Sequence, residues 1–460
     1  MPSPSISSAQ EVITEDLIDQ VHITDIVIPV DAPPPQVRRQ LQGTPDFELN
    51  QGYLRPNSAD NNGIDAEYSW TFEGGNGEGV TIYDVEYSWN LVHEDLGSSI
   101  KTLVNSGDAG VDPFNPPDPE HGTAVLGEMI GTSNSFGVKG ISHGAKAKVA
   151  PENTVLLGGN RANAMLLATN DGKPGDVILL EMQTGACGGA CGEDQVGCGP
   201  AEWAKDVFEA TKVAVGNKIV VVAAAGNGNV NLDSSQCNGR FDRTNPAQDS
   251  GAIIVGAGGS GVDVDGCRFA HPARVKLETS TFGSRVDVHG WGECIWSTGY
   301  GDGHNSSANP LDQNTFYTDE FGGTSGASPF VAAAVANIQG IAMKRFGFPL
   351  DPEDVRKLLT DTGLPQLGEG GNIGPLVNLK NAIDKLLDGN ITAKPTVTPT
   401  KATAKPTAKP TAKQTAKPMA KPTAKPATTP STAKPAATNS KAGKAKPAAT
   451  YSKAGKASGN

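Results

Sequence analysis

Apolar residues in this chain come in short runs. VTIYDVEYSW at 80–89 is β-rich and follows the turn-forming GGNGEG, and DVILLEMQ at 176–183, KIVVVAAAG at 218–226 and GAIIVGAGG at 251–259 are short apolar runs bounded by Gly or Asn. An alternating run marks a strand with one wet face, whereas a continuous run fits a strand buried on both faces of a parallel sheet. Between the second and third runs, AEWAKDVFEATKVAVGNK at 201–218 carries Trp203, Val207, Phe208, Val213 and Val215 at roughly helical spacing, and Gly216-Asn217 closes it. The unit is strand, helix, strand. HGTAVLGEMIG at 121–131 begins helically, and SPFVAAAVANIQGIAMKRFG at 328–347 reads as a long helix. Asp351-Pro352-Glu353-Asp354 supplies an N-cap, proline at N1 and acids in the first turn of one more. The pattern predicts an α/β fold with a mostly parallel sheet, in one domain at 45–389.

Outside that span the pattern disappears. Residues 1–44 are polar, with DAPPPQ at 31–36, and read as an N-terminal arm or the remnant of a leader. From 390 onward the chain turns into TAKP-like repeats with no apolar face, and a disordered tail is expected there. Composition sharpens the division. Residues 392–460 hold 14 Lys and no Asp, Glu or Arg, so the net charge of -12 conceals a body at -26, with 24 basic and 50 acidic residues. A basic nucleic-acid binder is excluded for the body, while the tail suits polyanion contact through charge alone. No stretch reaches the about 18 consecutive apolar residues of a membrane span, and MPSPSISSAQEVITEDL lacks the basic and apolar regions of a signal peptide. Of six cysteines, Cys187, Cys191 and Cys198 cluster, with Cys237, Cys267 and Cys294 beyond them. Without a CxxC pair or paired histidines, loop-stapling disulfides or plain thiols fit better than zinc.

Three local signals carry chemistry. Asp84 lies at the end of the first apolar run, where a strand's carboxyl edge would present it to a ligand. His121, followed by Gly-Thr at the mouth of a helix, is placed to accept and return a proton. Ser325 sits among Gly322, Gly323, Gly326 and Ala327, small enough for another backbone to approach, at the start of a helix whose N–H groups point at the same place. Taken singly, each has a bland reading as a cap or turn. Their combination does not.

In that order, and with GTSGASP at 323–329, HGTAVLG at 121–127 and AAAGNGN at 223–229, the sequence resembles the subtilisin-like serine proteases, the subtilase family, over roughly residues 45–388. The resemblance implies a subtilisin-like three-layer fold and a serine endopeptidase acting on proteins or peptides through an acyl-enzyme. It assigns the triad to Asp84, His121 and Ser325, and the oxyanion hole to Asn227 with the Ser325 N–H. Substrate contact falls to Gln183, Thr184 and Gly185. The chemistry needs no cofactor, but a structural calcium site is implied at Asp95 and Asn134, as is secretion. Two departures stand out: Asp84-Val85-Glu86 replaces the usual Asp-Thr/Ser-Gly, and Glu181-Met182-Gln183-Thr184-Gly185 replaces Ser-Leu-Gly-Gly. Trp291 and Trp296 fit core packing better than a rim. The competing reading is a catalytically silent subtilase-fold binding protein with a polyanion-binding tail. A full set of catalytic residue types argues against it, since a binder has no need of them.

Overall fold

Short buried runs become strands here because neither face of the sheet meets water. In the computed structural model, residues 43–389 are described except 59–61, 98–99, 104–119, 153–160, 193, 262–266, 268–269 and 306–310. The expected arm and tail, with the tail's polyanion contact, lie outside the described residues apart from Gly43 and Thr44.

After a short helix α1 (Ala66–Ser69), the chain runs through β1 (Thr81–Glu86), β2 (Lys101–Thr102), α2 (Glu120–Ile130), β3 (Lys146–Pro151), α3 (Arg161–Asp171) and β4 (Val177–Leu180). A small hairpin of β5 (Gln183–Gly185) and β6 (Cys198–Pro200) precedes α4 (Lys205–Gly216), β7 (Val220–Ala224), β8 (Ile253–Gly258) and β9 (Val288–Trp291). Then come β10 (Ile295–Thr298), β11 (Tyr317–Phe321), α5 (Thr324–Phe346), α6 (Pro352–Thr362) and α7 (Leu379–Leu387). Seven strands form one sheet in the order β2-β3-β1-β4-β7-β8-β9, every neighbouring pair parallel.

Alternate residues of the same strands feed two cores. Ile82, Leu179, Val222 and Val255 face α5 and α2, while Tyr83, Leu180, Val221 and Ile254 face α3 and α4. Helices on both faces make three layers. Helix α5 has the length and composition to cross a membrane, yet 94% of its apolar window is buried, as suits a helix that is apolar all round. Residues ahead of β1 join the first core through Tyr53, Leu54 and Ile64. Trp291 is fully buried with its indole N–H on the Asn62 carbonyl, and Trp296 stacks on Phe47, so both tryptophans serve the core.

Helix α4 corrects the expected stripe. Val213 is 46% exposed, and Val207, Phe208, Ala210, Thr211 and Ala214 form the buried face instead. Alanines let α4 lie close to α3 and the sheet, a packing that a count of large side chains misses. Asp351 has the extended backbone of an N-cap, but its carboxylate pairs with Lys218 Nζ at 3.0 Å. The six cysteines form Cys187–Cys237, Cys191–Cys198 and Cys267–Cys294.

Candidate active site

The chain builds the sheet outward from β1, laying β3 on one side and then crossing back to β4 on the other. A doubly wound sheet opens a crevice beyond its carboxyl edge at such a reversal. A cleft of about 550 Å³ lies there, walled by His121, Asn227, Ser325, Gln183, Gln195 and Glu181 among others.

Residues 84 and 86 point to the same face of β1, one pleat apart. The strand continues past Asp84, and the carboxylate at its edge belongs to Glu86. Glu86 Oε1 lies 2.6 Å from His121 Nδ1. Asp84, expected in that position, is fully buried and accepts instead from Trp89 Nε1 at 2.6 Å. The structure thus pairs His121 with Glu86 where Asp84 was expected, and the reason is reach: one pleat further along, Glu86 arrives at the imidazole near the start of α2. Burial first, and the neighbouring Glu86 second, push the Asp84 carboxyl well above the usual range, outweighing the Trp89 bond and His121. Glu181, just beyond β4, is raised for the same two reasons, and its carboxyl receives the Ser328 hydroxyl.

Ser325 is the second residue of α5 and lines the cleft. Gly323 caps that helix at φ 73°, and a Cβ there would stand 3.0 Å from Asn227 Nδ2, so both backbone and space call for glycine. Asn227, in the turn after β7, lays its amide across the start of α5. Its Oδ1 accepts from Thr324 N at 2.8 Å and Thr324 Oγ1 at 3.0 Å, and its Nδ2 donates to Gln195 Oε1 at 3.0 Å. Phe321 meets the His121 ring edge-on, with centroids 5.6 Å apart.

Of the three expected substrate-contact residues, Gln183 lines the cleft. Thr184 and Gly185 pair with Gly199 and Cys198 across the hairpin and are not among the cleft's walls. The expected calcium ligands do meet, but not as an oxygen cage. Asn134 presents its Nδ2 to Asp95 Oδ1 at 2.7 Å, because its Oδ1 is held by Phe136 N at 2.9 Å, and Val138 N donates to Asp95 Oδ2 at 2.6 Å. An amide N–H aimed at the carboxylate does not fit a calcium ion at this pair. Among the described residues there is no group of three or more His, Cys, Asp or Glu arranged for a metal.

Residues 75–395 match the subtilase family model (peptidase S8), well over half of the chain. The chain belongs to the subtilase family. An extracellular protease of Xanthomonas campestris pv. campestris is 29% identical over 284 residues, which are 58% of this chain and 40% of that protein. The chain thus matches about two fifths of that relative's length. Among solved structures, a lanthipeptide protease is 19% identical with a TM-score of 0.50, covering 74% of this chain and 96% of the other, a likeness of fold. Fervidolysin from Fervidobacterium pennivorans is 22% identical with a TM-score of 0.48, over 74% of this chain and 49% of the other. This subtilase carries its histidine-paired carboxylate as Glu86. The signal was present in the sequence, since an acid at i and i+2 of a strand shares one face. For Gln195, in a Gly- and Cys-rich loop, nothing in the sequence pointed to the cleft.

Proposed function

We propose that the chain is a serine endopeptidase whose triad is Ser325, His121 and Glu86. The observation that carries this reading is the Glu86–His121 pair on a cleft that Ser325 and Asn227 also line. A serine hydroxyl becomes a competent nucleophile only as a base removes its proton. His121 Nε2 takes the Ser325 proton while Glu86 holds Nδ1–H, fixing the tautomer and stabilising the imidazolium. The hydroxyl oxygen attacks the scissile carbonyl, and Asn227 with the Ser325 N–H receives the oxyanion. The imidazolium then protonates the departing amine, leaving an acyl-Ser325 ester that water cleaves by the same route. Asp84, bonded to Trp89 Nε1, does not make this contact with His121 Nδ1.

Protein or peptide substrates follow from this chemistry. Secretion accords with three disulfides, which persist in oxidising compartments, and with the relative named an extracellular protease. Labelling with a fluorophosphonate tests the nucleophile. The full chain is expected to take up one label and hydrolyse casein, and Ser325→Ala is expected to lose both; equal labelling of the variant would remove Ser325 from the role.

A further inference from the structure

Two backbone N–H groups decide the orientation of every side-chain amide at the cleft. Thr324 N–H meets Asn227 Oδ1 at 2.8 Å, so the NH₂ end of Asn227 faces the other way, toward Gln195. Asn227 N–H meets Gln183 Oε1 at 2.8 Å, so the NH₂ end of Gln183 also turns toward Gln195. Both amides then donate to one atom, Gln195 Oε1, at 3.0 Å each. With two donors converging on it, that atom has to be the oxygen. The three amides close a ring that runs from the Asn227 backbone through Gln183 and Gln195 to the Asn227 side chain.

The acceptor is itself held in place. Gln195 has φ 58°, its N–H donates to Gly192 O at 2.9 Å, and its carbonyl accepts from Cys198 N at 3.0 Å. The Cys191–Cys198 disulfide closes this turn, and Gly228 N–H on Cys198 O at 2.9 Å docks it on the turn that carries Asn227.

We infer that Gln195 is a positioning residue for the Asn227 amide, held by the Cys191–Cys198 loop. A primary amide carries two N–H bonds. Thr324 holds the oxygen end of Asn227 and Gln195 takes one N–H, which leaves the amide plane fixed from both ends and the second N–H available to the oxyanion. Donors set in place before charge develops need no reorganisation during the reaction, and that preorganisation is the source of their effect. The inference rests on the serine endopeptidase reading, in which Asn227 is an oxyanion donor.

The test uses the full chain with peptide p-nitroanilides, measuring kcat and KM separately. Gln195→Met removes the acceptor at similar length. It is expected to lower kcat about 5- to 50-fold, less than the about 10²–10³ for removing a donor outright, with KM changed less than about twofold. Cys191→Ser with Cys198→Ser should lower kcat in the same way. In an Asn227→Ala background, Gln195→Met should have almost no further effect, because no donor remains to be positioned. Thermal midpoints confirm that each variant is folded. A kcat loss that persists undiminished without Asn227, a change confined to KM, or a rise in kcat would each overturn the inference. If Ser325→Ala is inactive while Gln195→Met matches the parent, the inference fails alone. Turnover that survives Ser325→Ala would overturn the underlying reading.

Discussion

At the scale of single residues, two carboxyl groups share one strand face and have different surroundings. Both are fully buried, but Glu86, the last residue of β1, meets His121, whereas Asp84 is bonded to Trp89 and its carboxyl is pushed up by burial and by Glu86. Replacing each by its amide should therefore have unequal effects. Glu86→Gln leaves the shape intact but gives His121 an amide that can present the wrong partner to Nδ1, so kcat is expected to fall by about 10³–10⁴. Asp84→Asn keeps an oxygen for the Trp89 N–H and should cost less than about tenfold in kcat. Steady-state kinetics of the two variants decides between the carboxylates, and the reverse order of losses would restore Asp84. The choice of Glu86 was half legible in the sequence: the shared face follows from strand periodicity, but which acid reaches the histidine depends on where α2 docks.

At the scale of elements, the joints between strands and helices hold charges that the sequence pattern hid. Arg285, just ahead of β9, is fully buried, with Nη1 on Asp287 Oδ2 at 2.6 Å and Nη2 within 3.3 Å of Glu202 Oε1. Asp287 also pairs with Arg243, and Asp249 pairs with Arg356 of α6 at 2.7 Å. The knot joins the start of β9, the approach to β8, the short turn before α4, and α6. Burial opposes ionisation of Asp249, but Arg356 and Arg285 overcome it and hold its carboxyl well below the usual range. Removing one member of such a set leaves its partners charged and dry. Arg285→Met is expected to lower the unfolding free energy by about 3–5 kcal/mol in denaturant titrations at neutral pH. A loss under about 1 kcal/mol would mean that the remaining arginines suffice.

For the whole molecule, Asp249 and Asp95 bound stability from opposite sides of pH. Asp249 ionises more readily folded than unfolded, so its contribution is complete above the unfolded value of about 3.9 and is lost as pH falls through its lower folded value. Asp95 is the reverse. Burial, against the pull of Val138 N–H and Asn134, pushes it up to about 8. The folded state keeps a proton that the unfolded chain releases above about 4, so this contribution declines as pH rises from about 4 to about 8 and is level beyond. Unfolding midpoints measured from pH 4 to 9 should fall less steeply in Asp95→Asn than in the parent across that interval, provided the parent's disulfides are intact. Parallel curves would show that Asp95 does not titrate there.

By itself the sequence determined the parallel sheet, a helix beginning near 121 and another over 328–347, and the placement of His121 and Ser325 at helix starts, while Asn227 was reached through the family resemblance. These are local facts: continuous apolar runs, a Gly-rich helix start and a helix after it follow from neighbours within a few residues. Tertiary structure alone decided that Glu86 meets His121, that Asp95 and Asn134 satisfy each other, that Val213 faces water, and that Gln195 joins Asn227 across 32 residues. Each depends on the docking of elements distant along the chain. Periodicity tells which face a side chain takes, but its partner there is set only when the other element packs against it.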